Sequence, residues 1–339
     1  KKTVFGYSIL GTYKYQADPL PSFVRPYMLT DEAAAHLAAN PLSSSELIGG
    51  YVPSANFLED SDIEQGTARP DAGRHDANLR LKLTYNIKPE MTLDWMNTLD
   101  YSNRRISQAN NVLMNSSENP HQEYAFWNSQ LQFKHKVKSV FNHLGKKVGS
   151  EEDFITDLGY QIDVTYQQAR SEIGSFRHGR DFFKYGHVGE FNVVQVPTYR
   201  YTDKGQVEFT DPDGNQRVLK NFHEFAGYRD SLIGFTGSSH NPQLGSFTQF
   251  FYDGLGSNRS MQELVSRGGV LNGFNLPQVY SLYNAPGTVY GSYSKSFRER
   301  FNVMAISEAT IRPFDNKQLK HDVEFGLSFQ QDASGYYNL

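Results

Sequence analysis

The hydrophobic pattern of this chain repeats every second residue. Between Phe154 and Gln167, the residues Phe154, Leu158, Tyr160, Ile162, Val164 and Tyr166 share one parity, while Asp157, Gly159, Gln161, Asp163 and Thr165 take the other. Strand side chains point alternately to two faces, so the pattern predicts a ribbon with one apolar and one polar side. Leu79, Leu81, Leu83, Tyr85 and Ile87 alternate with Arg80, Lys82, Thr84 and Asn86 in the same way. Lys88-Pro89-Glu90 follows as a turn, because proline fixes φ and cannot donate to a ladder. Met91, Leu93, Trp95, Leu99 and Tyr101 then alternate with Thr92, Asp94, Thr98, Asp100 and Ser102, which predicts a hairpin. A second tight hairpin is expected from a strand ending at Ile311 to one beginning at Leu319, through Pro313-Phe314-Asp315-Asn316. There Val323, Phe325, Leu327 and Phe329 oppose Asp322, Glu324, Ser328 and Gln330. Thr3 to Gln16 alternates less cleanly, with Val4 and Leu10 out of phase with Phe5, Tyr7, Ile9, Tyr13 and Tyr15.

Between these ribbons lie long turn-rich stretches: Asp18 to Asp76, Ser107 to Gln122 and much of Ser175 to Pro286. Two small helices are predicted in them. Thr30 can cap Asp31 to Ala39, with acidic residues in the first turn, and Ser260-Met261-Gln262-Glu263 has capping-box spacing, with a stop at Gly268-Gly269. Structureless connections of this length are uncommon in a compact soluble domain. The alternating segments are also longer than the five or six residues of an average sandwich strand. Strands of about ten residues or more, joined briefly at one end and at length at the other, are the pattern of a transmembrane β-barrel. The expected fold is therefore all-β, an antiparallel transmembrane barrel with long extracellular loops. A soluble all-β protein is the alternative.

Composition narrows the function classes. The chain has 339 residues, with 33 Lys plus Arg against 37 Asp plus Glu for a net charge of −4, and no cysteine. Nothing there suits a basic nucleic-acid scaffold or a disulfide-stapled module. Phenylalanine and tyrosine are abundant, at 24 and 21, yet mean hydropathy is −0.58. Apolar groups are thus dispersed through polar sequence, and no run of ~18 apolar residues could form a membrane helix. A barrel needs no such run, since its strands alternate. Lys1 to Tyr7 has two basic residues but neither the apolar core nor the cleavage site of a signal peptide.

From Arg177-His178-Gly179-Arg180-Asp181-Phe182-Phe183-Lys184-Tyr185-Gly186-His187-Val188-Gly189-Glu190-Phe191, the chain resembles the barrel of TonB-dependent outer-membrane receptors, in particular their Oar-like branch. Looser matches lie in Asn40-Pro41, Gly49 to Phe57, Leu99 to Arg105 and His321 to Phe329, in family order along the chain. The resemblance implies a segment, spanning residues 1–339, of a barrel of about 22 strands, with material here for eight to ten. Signal peptide, regulatory-like domain, plug and terminal strand are not recognised in it. It also implies the outer membrane of a Gram-negative bacterium, and uptake of a large or scarce ligand powered by TonB–ExbB–ExbD acting on a plug. Outer-membrane lipid and a surface lipoprotein are the other expected partners, with no nucleic acid. Alternatives are a soluble or surface-attached β-rich binding module and a passive or structural barrel.

No enzyme is expected. The chain has no Gly-x-Ser-x-Gly elbow, His-Glu-x-x-His or P-loop, and no cysteine for a thiolate or a zinc site, so neither cofactor nor metal is implied. Asp211-Pro212-Asp213-Gly214-Asn215 has the start of a calcium loop but not its later carboxylate, and reads as a turn after a strand from Tyr199 to Thr210. The polar cluster Arg177, His178, Arg180 and Asp181, together with His187, is a substrate-facing candidate or a solvated loop base. The aromatic residues Phe222, Phe225, Tyr228, Phe235, Phe250, Phe251 and Tyr252 either pack loops together or line a binding surface, with Phe222, Tyr228, Phe251 and Tyr252 the candidates for contact. Lipid-facing candidates are Leu81, Leu83, Trp95, Phe154, Leu158, Tyr160, Ile162, Val164, Tyr166, Phe325 and Leu327. Trp95, Trp127, Tyr85, Tyr101 and Tyr166 read as interface-belt residues.

Overall fold

The computed structural model describes residues 4–21, 23–45, 50–137, 140–141, 147–148, 155–257, 259–311 and 320–339. The chain is all-β in its main architecture. Nine long strands carry the fold: β1 (Phe5–Gln16), β2 (Arg74–Lys88), β3 (Met91–Arg105), β4 (His121–Val137), β5 (Ile155–Gly174), β6 (Gly189–Thr210), β7 (Gln216–Gly237), β8 (Ser294–Ile311) and β9 (His321–Asn338). Seven of them form one antiparallel sheet in the order β1-β2-β3-β4-β5-β8-β9, an open meander with β1 and β9 at its edges. Among the described residues, strands β6 and β7 pair only with each other.

The expected hairpins are present. Strands β2 and β3 are joined across residues 89–90, with Leu83 opposite Trp95 and Leu79 opposite Leu99. Strands β8 and β9 pair from Ile311↔His321 to Ser294↔Asn338, although Pro313 to Asn316 lies outside the described residues, as does Phe154. The uneven segment near the start becomes β1, paired with β2 along its whole length. At one end of the sheet the connections are residues 89–90, 138–154 and 312–320; at the other they are 17–73, 106–120 and 175–293.

Those long connections are not structureless, which corrects the reading of them as loops. They hold α1 (Asp31–Ala39), α2 (Pro242–Asp253), α3 (Met261–Arg267), short strand pairs and the β6–β7 hairpin. Helix α1 begins where Thr30 Oγ1 accepts from Ala33 N at 3.2 Å, and α3 where Ser260 Oγ accepts from Glu263 N at 3.0 Å. Helix α3 stops at Gly268, whose φ of +115° suits a residue without Cβ. Helix α2 was not anticipated; proline at its first position and a glycine after its last are its sequence marks.

All three connections contribute to one cap. Leu37 and Ala55 come from the first, Val188, Leu232, Phe235, Leu244, Phe247, Phe251, Leu264, Val279 and Val289 from the third, and Met114 of the second packs against them. Among the described residues no second sheet covers either face of the seven-stranded sheet. The buried core therefore lies in the connections, where a sandwich would place it between sheets. The first connection is also closed at its base. Arg69 binds Asp18 through Nε at 3.0 Å and through its backbone N at 3.1 Å, pulling the Asp18 carboxyl down to about 2.

Truncating Phe247, which is 4% exposed at the centre of the cap, should cost about 3–5 kcal/mol. In the Phe247→Ala variant, hydrogen exchange should accelerate through α2 and α3 while the ladders of β2, β3 and β4 keep their protection.

Candidate functional site

Through its central rows the seven-stranded sheet keeps its two faces chemically distinct. One cross-strand row reads Tyr7, Leu83, Trp95, Leu131, Val164, Val303, Phe329. A neighbouring row on the same face reads Phe5, Tyr85, Leu93, Phe133, Ile162, Ala305, Leu327. The row between them, on the other face, reads Gly6, Thr84, Asp94, Gln132, Asp163, Met304, Ser328. Register is what makes this possible, because a slip of one residue at any ladder would send that strand's apolar set to the opposite side.

The apolar face is left open. Trp95, Leu131, Tyr160 and Ile162 are about 40% exposed, and Phe325 and Leu327 over 60%. Leu81, Leu83, Leu158, Val164 and Tyr166 are half-buried on the same face. Tyr85 and Tyr101 stand towards its two ends. Trp95 and Trp127 do not: they flank mid-strand Asn97 and Ser129, which sit opposite each other. Trp95 Nε1 donates to Ser129 Oγ at 3.1 Å and Trp127 Nε1 to Asn97 Oδ1 at 3.4 Å. Both indole N–H groups are satisfied within the sheet and need no interfacial water, so the belt reading of the tryptophans gives way to a mid-face one. Tyr166 packs edge-on against Trp127 at 5.4 Å and shares that position.

The polar face is internally bonded. Asp163, 3% exposed, accepts from Gln132 Nε2 at 2.7 Å and also from Gln130 and Gln161. Asp94 accepts from Thr84 Oγ1 and lies 3.8 Å from Lys82 Nζ. Arg300 donates to Asp332 at 2.7 Å. Buried carboxylates on this side are held by amides, hydroxyls and cations, as the low-dielectric environment requires.

No family model and no curated protein matches this chain. The side chains around Arg177 to Phe191 must therefore be judged by what they touch. His178 is 6% exposed, and its Nε2 lies 2.7 Å from Asn241 Oδ1. Asn241 Nδ2 donates to Lys184 O and His187 O, so Oδ1 is the acceptor and His178 Nε2 carries the proton. His178 is thus a structural link rather than a substrate-facing group. Phe251 and Tyr252, each 8% exposed, are likewise corrected: they pack in the cap core, Tyr252 beneath the Arg259 guanidinium at 5.2 Å. Arg180 forms a two-point bond with Glu172, Nε at 2.8 Å and Nη2 at 2.5 Å, and the carboxylate raises the guanidinium pKa further. Asp181 pairs with Lys184 at 2.7 Å, which holds its carboxyl below the usual range. Phe222 and Tyr228 lie on the β6–β7 hairpin, away from this cluster, with Tyr228 66% exposed. Asp211 accepts from Asp213 N and Asn215 N at the hairpin tip and binds Arg217 at 2.8 Å, so that motif is a turn. Among the described residues no group of three or more His, Cys, Asp or Glu is arranged to hold a metal.

The second connection, 106–120, is the hub that the sequence reading passed over. Asn111, Asn115, Glu118 and Asn119 are all buried there. Asn115 donates to Thr288 O at 2.7 Å and accepts from Gly287 N at 3.1 Å; Asn111 accepts from Asn284 Nδ2 at 2.7 Å. Arg105, the last residue of β3, donates to Ser117 O at 2.8 Å and lies 3.9 Å over the Phe176 ring. Glu118 meets Arg177 at 2.6 Å. Four asparagines within ten residues, beside a proline, were the available signal. Asparagine side chains satisfy backbone groups where a chain is folded without regular ladders.

Burial pushes the Glu118 carboxyl above the usual carboxylate range, with Arg177 opposing the shift. A raised native pKa means that the neutral form is favoured in the fold, so this contribution to cap stability is fully present in acid and is lost as pH rises through the raised value. Glu118→Gln should therefore match the wild-type cap near pH 4 and exceed its melting temperature near pH 8, a comparison that thermal unfolding at the two pH values makes directly.

Proposed function

We propose that this chain forms part of the wall and extracellular cap of a Gram-negative outer-membrane receptor that takes up a large or scarce ligand with energy coupled through TonB. One observation carries the reading: a predominantly apolar, solvent-open face runs across seven register-locked strands whose other face is mostly polar. Such a surface suits hydrocarbon on one side and a wet interior on the other. From Ala77 to Ile87 the alternating set covers eleven residues, or ~33 Å along the strand, enough to cross an acyl core at a barrel strand's tilt. In lipid every backbone group needs a partner, so further strands pairing with β1 and β9 would close the wall into the barrel of 22 that the family resemblance implies.

The cap supports a receptor role. Its packed core holds the extracellular connections in one shape, and a preformed surface binds a ligand without first paying for loop ordering. In this reading outer-membrane lipid meets the apolar face, a plug occupies the polar interior and transmits force from TonB–ExbB–ExbD, and a surface lipoprotein is a further partner of the cap. The chain itself does no catalysis and needs no cofactor.

The chain's two tryptophans both lie on the apolar face, so brominated phospholipid should quench their emission after reconstitution, and in Trp95→Phe and Trp127→Phe, made singly, the remaining tryptophan should still be quenched. On the same strand, Val164→Arg should destabilise the reconstituted protein by about 2–4 kcal/mol, while Thr165→Arg, facing the polar side, should cost far less. Unquenched emission, or recovery of the native protein from salt-washed aqueous extract without detergent, would overturn the assignment. Uptake that persists after removal of the energy-coupling partner would leave a passive barrel.

A further inference from the structure

Strands β6 and β7 make a two-stranded ribbon of 22 residues each whose base is packed and whose remainder is bare. On one face the register aligns Val193 with Leu232, Gln195 with Asp230, Pro197 with Tyr228, Tyr199 with Phe225 and Tyr201 with His223. At the base this face belongs to the cap: Leu232 is 1% exposed and β7 packs against α2 and α3. Beyond it the helices end and the face continues uncovered. Tyr228, Tyr199, Tyr201 and Phe225 are 66%, 61%, 55% and 51% exposed.

These rings follow one another along the ladder on one face. Phe225 lies 5.2 Å from Tyr228 and 6.0 Å from Tyr199, and Tyr201 lies 5.3 Å from His223. The alignment depends on a bulge. Gly227, at φ +107°, lets Ala226 be skipped in the ladder, which returns Phe225 to the side of Tyr228. Without that skip the two rings would face opposite ways. The only formal charge within the row's paired positions is Asp230, which with Gln195 sits where the row meets the cap, while the Arg200–Glu224 ion pair lies on the reverse face.

We propose that this face is a binding platform for a neutral polysaccharide chain, which gives the receptor reading above its ligand class and rests on that reading for its biological setting. The chemistry is that of a polyol. Sugar rings present C–H faces that lie against aromatic rings, and hydroxyls that pair with planar carboxylate and amide groups. Three of the four exposed rings are tyrosines, which combine an apolar face with a hydroxyl at little conformational cost. A phosphate-bearing or ferric-anion ligand would want cations on this face, and the row offers none beyond a histidine. From Pro197 to Tyr201 the platform is ~13 Å long, which suits an oligosaccharide better than a single sugar.

The test is calorimetric titration of the detergent-solubilised protein with maltohexaose, cellohexaose, xylohexaose and chitohexaose, alongside lipid vesicles of neutral and anionic composition. Saturable binding of at least one hexasaccharide is expected, weakened about tenfold by Tyr199→Ala or Tyr228→Ala and more than that by both together. Both side chains are over half exposed, so the melting temperature should not move, and Asp230→Asn should weaken binding with all rings intact. Absence of binding to all four saccharides, equal binding by the double variant, or vesicle binding lost on the same substitutions would each overturn the proposal. The tryptophan quenching experiment reads the membrane face separately, so intact quenching with no saccharide binding would remove the ligand class and leave the barrel standing.

Discussion

The constraint on which this structure depends is phase. Six antiparallel ladders join seven strands, and through the central rows they set apolar residues beside apolar ones on one face and mostly polar residues on the other. Because side chains alternate with a period of two, the chemistry of the whole face is decided by whether each ladder holds its register. Local irregularities lie near strand ends, at Asn86/Lys88 and Thr156/Gly159, outside the central rows. The asymmetry of the faces does the rest. A strand that slipped would place Asp94 or Asp163 among Leu83, Leu131 and Val303, a cost in uncompensated charge that no gain in hydrogen bonding would offset.

The cap follows a different logic. Its core is aliphatic and aromatic, yet it is fastened to the ends of the sheet strands by polar contacts. Arg105, Glu118, Arg177 and the buried asparagines satisfy backbone and side-chain groups that regular secondary structure does not reach. This division is physically reasonable: apolar burial is non-directional and makes the cap compact, while hydrogen bonds are directional and fix its orientation on the strand ends. The β6–β7 ribbon grows out of that core, so its exposed rings are presented on a base anchored by Leu232 and Phe235.

Much of this was legible in the residues. The alternation in Leu79 to Ser102 specified a hairpin and its two faces, and Thr30 and Ser260 marked helix starts that the structure places as read. Less of the site was legible. Phe251 and Tyr252 look like their neighbours Phe225 and Tyr228 in sequence, yet the first pair is buried and the second exposed. Burial of an aromatic residue outside a periodic segment depends on which distant element lands on it, here α2 and α3 against β7. His178 was misjudged for the same reason, because its partner Asn241 lies 63 positions away.

The sequence by itself determined the clearly alternating strands β2, β3, β5 and β9, their faces and the all-β class, since alternation is a local property that any pleated ribbon must obey. Strands β4 and β7, whose large apolar residues fall on both parities, were not legible and are strands through their ladders. Tertiary structure alone decided that the turn-rich connections fold into one core, that Asn111, Asn115 and Glu118 hold them together, and that Tyr199, Phe225 and Tyr228 share a face through the bulge at Gly227. Those outcomes turn on contacts between residues far apart in the chain and on a skipped ladder position, and neither leaves a periodic trace in the order of amino acids.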